Sequence, residues 1–266
     1  KKETTNNYKI KTDFTNEFLT ALPFKPTGAQ SRAIADCIAD MKSERSMNRL
    51  IQGDVGSGKT AVAAAVIYTA VKNGFQAAMM APTEILAAQH FESLTKLFEG
   101  TDIKIALLTG STKAKEKREI KQGLIDGTID FAVGTHALIQ NDVEFKSLAL
   151  VVTDEQHRFG VEQRASLAMK GSDPHMLVMS ATPIPRTLGL IIYGDLDISV
   201  LDELPPGRQT IRTDVVNSAY HQRIYKFIKK AIDEGHQAYI VCSLVEEGEN
   251  DLILSLIHIS EPTRPY

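Results

Sequence analysis

The octapeptide Gly53-Asp54-Val55-Gly56-Ser57-Gly58-Lys59-Thr60 has the spacing G-x-x-x-x-G-K-[ST]. It lies directly after the apolar run Leu50-Ile51-Gln52 and before a helical stretch. Glycines there let the backbone curl so that its N–H groups converge on phosphate oxygens, and the start of the following helix adds a favourable dipole. The Lys59 ammonium can reach the β- and γ-phosphates, and the Thr60 hydroxyl can ligate Mg²⁺. Further on, Leu150-Val151-Val152-Thr153 runs into Asp154-Glu155-Gln156-His157. Such a carboxylate pair can divide the work of phosphoryl transfer: Asp154 holds Mg²⁺ through its water shell, and Glu155 polarises the attacking water. An Asp-Glu dipeptide at a strand end is often only solvated, so it is the phosphate loop that gives the pair its meaning. ATP and Mg²⁺ are the expected ligands.

These residues need strands to position them. Short apolar runs at 49–52, 76–81, 104–108, 131–134, 148–153 and 176–180 read as buried strands. Between them lie amphipathic stretches such as 59–73, 84–98 and 113–126, after a first helical pattern over 29–44. This β-α-β rhythm predicts a doubly wound α/β fold, a parallel sheet with helices on both faces. Right-handed crossovers then gather the loops at the carboxyl ends of the strands along one rim.

With 266 residues, the chain is long enough for one large domain and the beginning of another. Apolar residues at 43% suffice for a sizeable core, which excludes bulk disorder. Lys and Arg total 30 against 33 Asp and Glu, a net charge of −3, so any polyanion contact must be local. Cys37 and Cys242 have no metal-ligand spacing, which fits a reducing cytoplasm and no structural zinc. No run approaches the roughly 20 apolar residues of a membrane span. The expected organisation is an irregular lead-in over 1–25, a first domain over 26–203 and a linker at 204–209 around Pro205-Pro206-Gly207. A truncated second domain follows over 210–253, with strand, helix and strand at 210–216, 219–234 and 237–242. The tail 254–266 reads as non-native, and the missing initiator Met suggests a fragment of a longer protein.

In order and spacing, GDVGSGKT (53–60), DEQHRFG (154–160) and SATPIPRTL (180–188) resemble the superfamily 2 helicases and translocases. Together with YGDLDISVLDELPPGR (193–208), they resemble more closely the RecG family of bacterial branched-DNA helicases. The resemblance covers about 22–251. It implies RecA-like P-loop NTPase domains, the first complete and the second only begun. It also implies an ATP-dependent DNA helicase or translocase that remodels replication forks and Holliday junctions in recombination and repair.

The resemblance assigns further roles. LPFKPTGAQ (22–30) resembles an adenine-reading segment, with Gln30 on the base edge and Phe24 packed nearby; an amide side chain can donate and accept at once. Pro82 and Thr83, Thr109, Gly110 and Ser111, and Gly134, Thr135 and His136 would grip a DNA backbone without base readout. Gln156, His157, Ser180 and Thr182 would couple hydrolysis to domain movement. The implied partners are branched double-stranded DNA and, for the intact protein, a single-stranded DNA-binding protein; no membrane is involved, and oligomeric state stays open. The second domain would supply an arginine worth roughly 10³ to 10⁵ in rate, so this chain is expected to bind Mg-ATP weakly and hydrolyse it slowly. Two alternatives remain at this point: the transcription-repair coupling translocase, which usually has a second Glu where Gln156 stands, and a nucleotide-binding module inert without its other half. The basic stretch Lys113–Lys121 reads as a solvated helix face, and His90, His175, His221 and His236 as structural or surface residues.

Overall fold

A computed structural model describes residues 6–154, 166–181, 196–203 and 213–241. The chain divides into two compact units, Lys1–Arg208 and Gln209–Tyr266.

In the first unit the apolar runs become the strands β1 (Asn48–Gly53), β2 (Gln76–Met80), β3 (Ile105–Leu108), β4 (Phe131–Gly134), β5 (Leu148–Asp154) and β6 (His175–Ser180). Every residue of β2 and β4 is buried, as continuous apolar strands covered on both faces require. A further strand, β7 (Asp197–Leu201), lies outside the expected set because its alternating Asp-Ile-Ser-Val-Leu pattern belongs to a half-exposed edge. All pairings are parallel, in the order β3-β4-β2-β5-β6-β1-β7.

The helices are α1 (Thr15–Ala21), α2 (Gly28–Lys42), α3 (Lys59–Lys72), α4 (Glu84–Leu97) and α5 (Ala114–Asp126). Apolar almost all round, α3 buries every residue from Val62 to Ala70, as a helix with no polar face must. Arg49 on β1 ties the edge together: its Nε donates to Asp40 of α2 at 2.7 Å, and its Nη1 donates to Ser199 Oγ of β7 at 2.8 Å.

The lead-in is not irregular throughout. Residues 15–21 form α1, and Phe18, 2% exposed, packs its ring 5.1 Å from Tyr68 and 5.5 Å from Phe98. Two helical turns are too short to establish a period in sequence; the burial of one aromatic anchors them instead.

His175, expected to be structural or at the surface, is fully buried. Its Nδ1 accepts from Met47 N at 2.9 Å, and Nε2 lies 3.2 Å from the Tyr8 carbonyl, which can only accept, so the ring is held neutral. Burial lowers its pKa below the ordinary 6.5. The unfolded chain therefore binds the proton first on acidification: stability is full above about pH 6.5 and is lost as pH falls toward the lowered folded pKa. The loss amounts to about 1.4 kcal/mol per pH unit across that window. Thermal melts should show a lower Tm at about pH 5.5 than at about pH 7.5, and His175→Gln should flatten that dependence. Equal pH slopes for the two proteins would contradict this assignment.

In the second unit, α6 (His221–Asp233) forms within the expected helical stretch and buries none of its residues. Of the strands expected at 210–216 and 237–242, the described parts, 213–216 and 237–241, form no strand, and 210–212 and 242 lie outside the described residues. A strand exists only through hydrogen bonds to a neighbour, and the described residues of this unit supply none.

Candidate active site

Because the sheet is parallel, all seven strands deliver their carboxyl ends to one rim, and strand order decides which loops become neighbours. Reading along the rim, β3, β4 and β2 bring Thr109–Ser111, Gly134–His136 and Pro82–Thr83 together on one half. On the other half, β5, β6 and β1 bring Asp154, Ser180 and the glycine loop. Asp154 stands in register with Met179, and Ser180 with Gln52 just before the loop. One strand, β6, separates Asp154 from the glycine loop, a gap of about 10 Å at the usual strand spacing.

Gly58 is left-handed at φ +86°, and a Cβ there would collide with Gln30 Nε2. Gly58 precedes α3, whose N-terminus has no side-chain cap. The Lys59 ammonium lies back across the loop, donating to the Gly53 carbonyl at 2.6 Å and the Asp54 carbonyl at 2.9 Å. Asp54, Val55 and Gly56 are exposed at the loop tip, and Thr60 is half-buried at the helix start. Ser57 Oγ and Thr153 Oγ1 are buried without a hydrogen-bond partner among the described residues, and each such hydroxyl costs on the order of 1–3 kcal/mol unless something fills the need.

Gln30, expected on the adenine edge, is bonded within the protein. It is 3% exposed; its Oε1 accepts from Thr27 N at 3.0 Å in a capping box, and its Nε2 donates to the Ser57 carbonyl at 2.8 Å. The side chain thus spans from the start of α2 to the glycine loop. Phe24, between α1 and α2, is 44% exposed.

On the other half, several expected donors already serve the fold. Thr83 Oγ1 caps α4 by accepting from Leu86 N at 3.2 Å. Ser111 donates through N (3.1 Å) and Oγ (2.7 Å) to the Glu84 carboxylate, which these bonds hold below the usual carboxylate range. Thr109, 4% exposed, shares its hydroxyl with Ser111 and Thr112, and Gly110 and His136 are exposed. Gly134 ends β4 where a Cβ would run into the Leu108 carbonyl oxygen, and Thr135 is 8% exposed. Pro82 is half-buried and Ser180 is buried. Glu155, Gln156, His157 and Thr182 lie outside the described residues.

One residue not expected at the site contacts Asp154. His90, read in the sequence as structural or surface, brings Nε2 to 2.6 Å from Asp154 Oδ2, and the two side chains are 13% and 14% exposed. The signal lies in helical spacing: on α4, position 90 follows buried Ala87 by three and precedes buried Leu94 by four, so it shares their inward face.

The donor set fits Mg²⁺ carried by a polyphosphate. Such an ion needs one or two oxygen side chains and keeps its waters, and among the described residues no group of three or more His, Cys, Asp or Glu converges as a resident-metal cage would. Thr60 and Asp154 are the oxygen donors at hand.

A parallel sheet with a glycine-rich phosphate loop on one strand and an aspartate two strands away defines a RecA-like P-loop NTPase domain. The chain belongs to the DEAD/DEAH box helicase family, which matches residues 27–191. It is 54% identical over 244 residues to the ATP-dependent DNA helicase RecG of Bacillus subtilis, covering 90% of this chain and 36% of that protein. It is 49% identical to the RecG of Thermotoga maritima over 95% of this chain and 32% of the relative. The chain therefore spans about a third of the length of these curated relatives. A solved structure of RecG bound to a three-way DNA junction superposes with a TM-score of 0.80 at 48% identity, over 90% of this chain and 32% of that one. A DEAD box protein from Methanococcus jannaschii, 22% identical over 74% of this chain and 55% of that one, shares the fold at a TM-score of 0.54. Among the described residues, no helix is long and apolar enough to cross a membrane.

Proposed function

We propose that this chain supplies the ATP-binding motor domain, and the start of the second motor domain, of a RecG-type ATP-dependent DNA helicase that remodels branched DNA. The observation that carries this reading is the division of the rim. A phosphate loop and Asp154 occupy one half, and loops rich in Thr, Ser and Gly occupy the other, on a fold 48% identical to a RecG bound to a DNA junction. The rim residues suit a backbone grip rather than base readout, which reconciles a DNA motor with a net charge of −3.

In this reading Lys59 exchanges its two loop carbonyls for phosphate oxygens, a stronger charge-assisted pairing. The start of α3 adds its N–H groups, and Gln30 holds the loop from behind through the Ser57 carbonyl. Thr60 and Asp154 would hold Mg²⁺, which when bound neutralises charge on the β- and γ-phosphates. Glu155 would take the attacking water's proton, and Ser180, one strand from both Gln52 and Asp154, would relay the state of the site to the segment that follows. The domain division at 204–209, a single-stranded DNA-binding protein as further partner, and a cytoplasmic location complete the proposal.

The test is ATP hydrolysis by a protein of the relatives' length carrying these residues, with forked DNA or structured RNA added. Forked DNA should raise turnover at least tenfold over structured RNA. Equal stimulation by RNA would overturn the DNA assignment.

A further inference from the structure

The contact between His90 and Asp154 joins residues 64 positions apart and crosses from α4 to β5. An ionised carboxylate oxygen can only accept, so the hydrogen sits on His90 Nε2 and the bond runs from the imidazole to Oδ2. Both groups are about seven-eighths buried, so water competes little for this bond. The ring stands on the inward face of a helix whose start is secured twice. Thr83 caps it, and Glu84 of its first turn accepts two hydrogen bonds from Ser111, on the loop after β3. From Glu84 to His90 is about 9 Å along the helix axis. Asp154 is the last residue of its strand, at the rim. A carboxylate that acts through a metal's water shell depends on its orientation, and partners that set such orientation usually matter almost as much as the ligands.

We propose that His90 is the positioning residue of the metal-side carboxylate: by donating to Oδ2 it commits one oxygen of Asp154 to α4 and sets the orientation in which Asp154 meets the hydrated Mg²⁺ of a bound nucleotide. The proposal rests on the reading of Asp154 as the Mg²⁺-side carboxylate. It assigns a role to a histidine with no metal-ligand spacing and no expected contact with the nucleotide.

The experiment measures binding of a fluorescent ATP analogue to this chain, with Mg²⁺ titrated and in EDTA, for the wild type, His90→Ala, His90→Gln and Lys59→Ala. His90→Ala should raise the half-saturating Mg²⁺ concentration about tenfold while leaving the metal-free affinity unchanged. His90→Gln carries an amide N–H near the place of Nε2 and should restore most of the loss. A wild-type Mg²⁺ dependence in His90→Ala would overturn the proposal. So would equal losses with and without Mg²⁺, because a purely structural histidine would weaken both. Wild-type binding that gains nothing from Mg²⁺ and survives Lys59→Ala would instead bring down the reading of the site itself, and the two failures are told apart by the Lys59→Ala arm.

Discussion

Lys59→Ala should abolish ATP hydrolysis, with a loss of at least about 100-fold, while the protein remains folded. The ammonium lies at the glycine loop, and its bonds to the Gly53 and Asp54 carbonyls show that it already spans the loop mouth. Those bonds lie at a half-exposed loop mouth where water can replace the ammonium, so the melting temperature should fall little. On the proposed function, the same ammonium would meet the charge spread over the transferred phosphoryl oxygens in the transition state, where its contribution would be largest. A coupled assay of phosphate release, beside a thermal melt, separates the two effects. Turnover unchanged in the variant would remove the glycine loop from the site.

Gly58→Ala should be nearly as damaging, through the backbone and a neighbour at once. At φ +86° an alanine is strained by about 1–2 kcal/mol. Its Cβ also collides with the Gln30 amide, which is 3% exposed and already bonded to Thr27 N and the Ser57 carbonyl. Expelling that amide breaks its bond to the Ser57 carbonyl, so the loop loses both its curl and its rear support. Nucleotide affinity should fall at least tenfold, equivalent to about 1.4 kcal/mol, alongside a measurable drop in Tm. Titration of a fluorescent nucleotide checks the first, and calorimetry the second. An affinity within twofold of the wild type would mean that the Gly58–Gln30 packing is not what shapes the cradle.

The phosphate loop, the acidic strand end and six of the seven strands were legible as local patterns, because each depends on residues within one short stretch. The edge strand β7 was missed because half exposure removes the continuous apolar run that marks a buried strand. Helix α1 was missed because it is too short to show a period, and Phe18 holds it by contacts 50 and 80 residues away, at Tyr68 and Phe98. The bonds of Gln30 to Thr27 and Ser57 were not legible in the sequence. A side-chain amide reads the same in sequence whether it faces a base or a backbone carbonyl.

Sequence alone determined that this protein carries a P-loop on a β-α-β framework with an acidic strand end, since glycine placement and apolar periodicity act through steric and hydrophobic preferences local to the chain. Only the tertiary structure decided that β6 alone separates the phosphate loop from Asp154, that the Thr- and Ser-bearing loops share the other half of the rim, and that His90 reaches the Asp154 carboxylate. Strand order and cross-element hydrogen bonds are made between distant segments. Their free energy depends on which surfaces meet, and no short pattern records that.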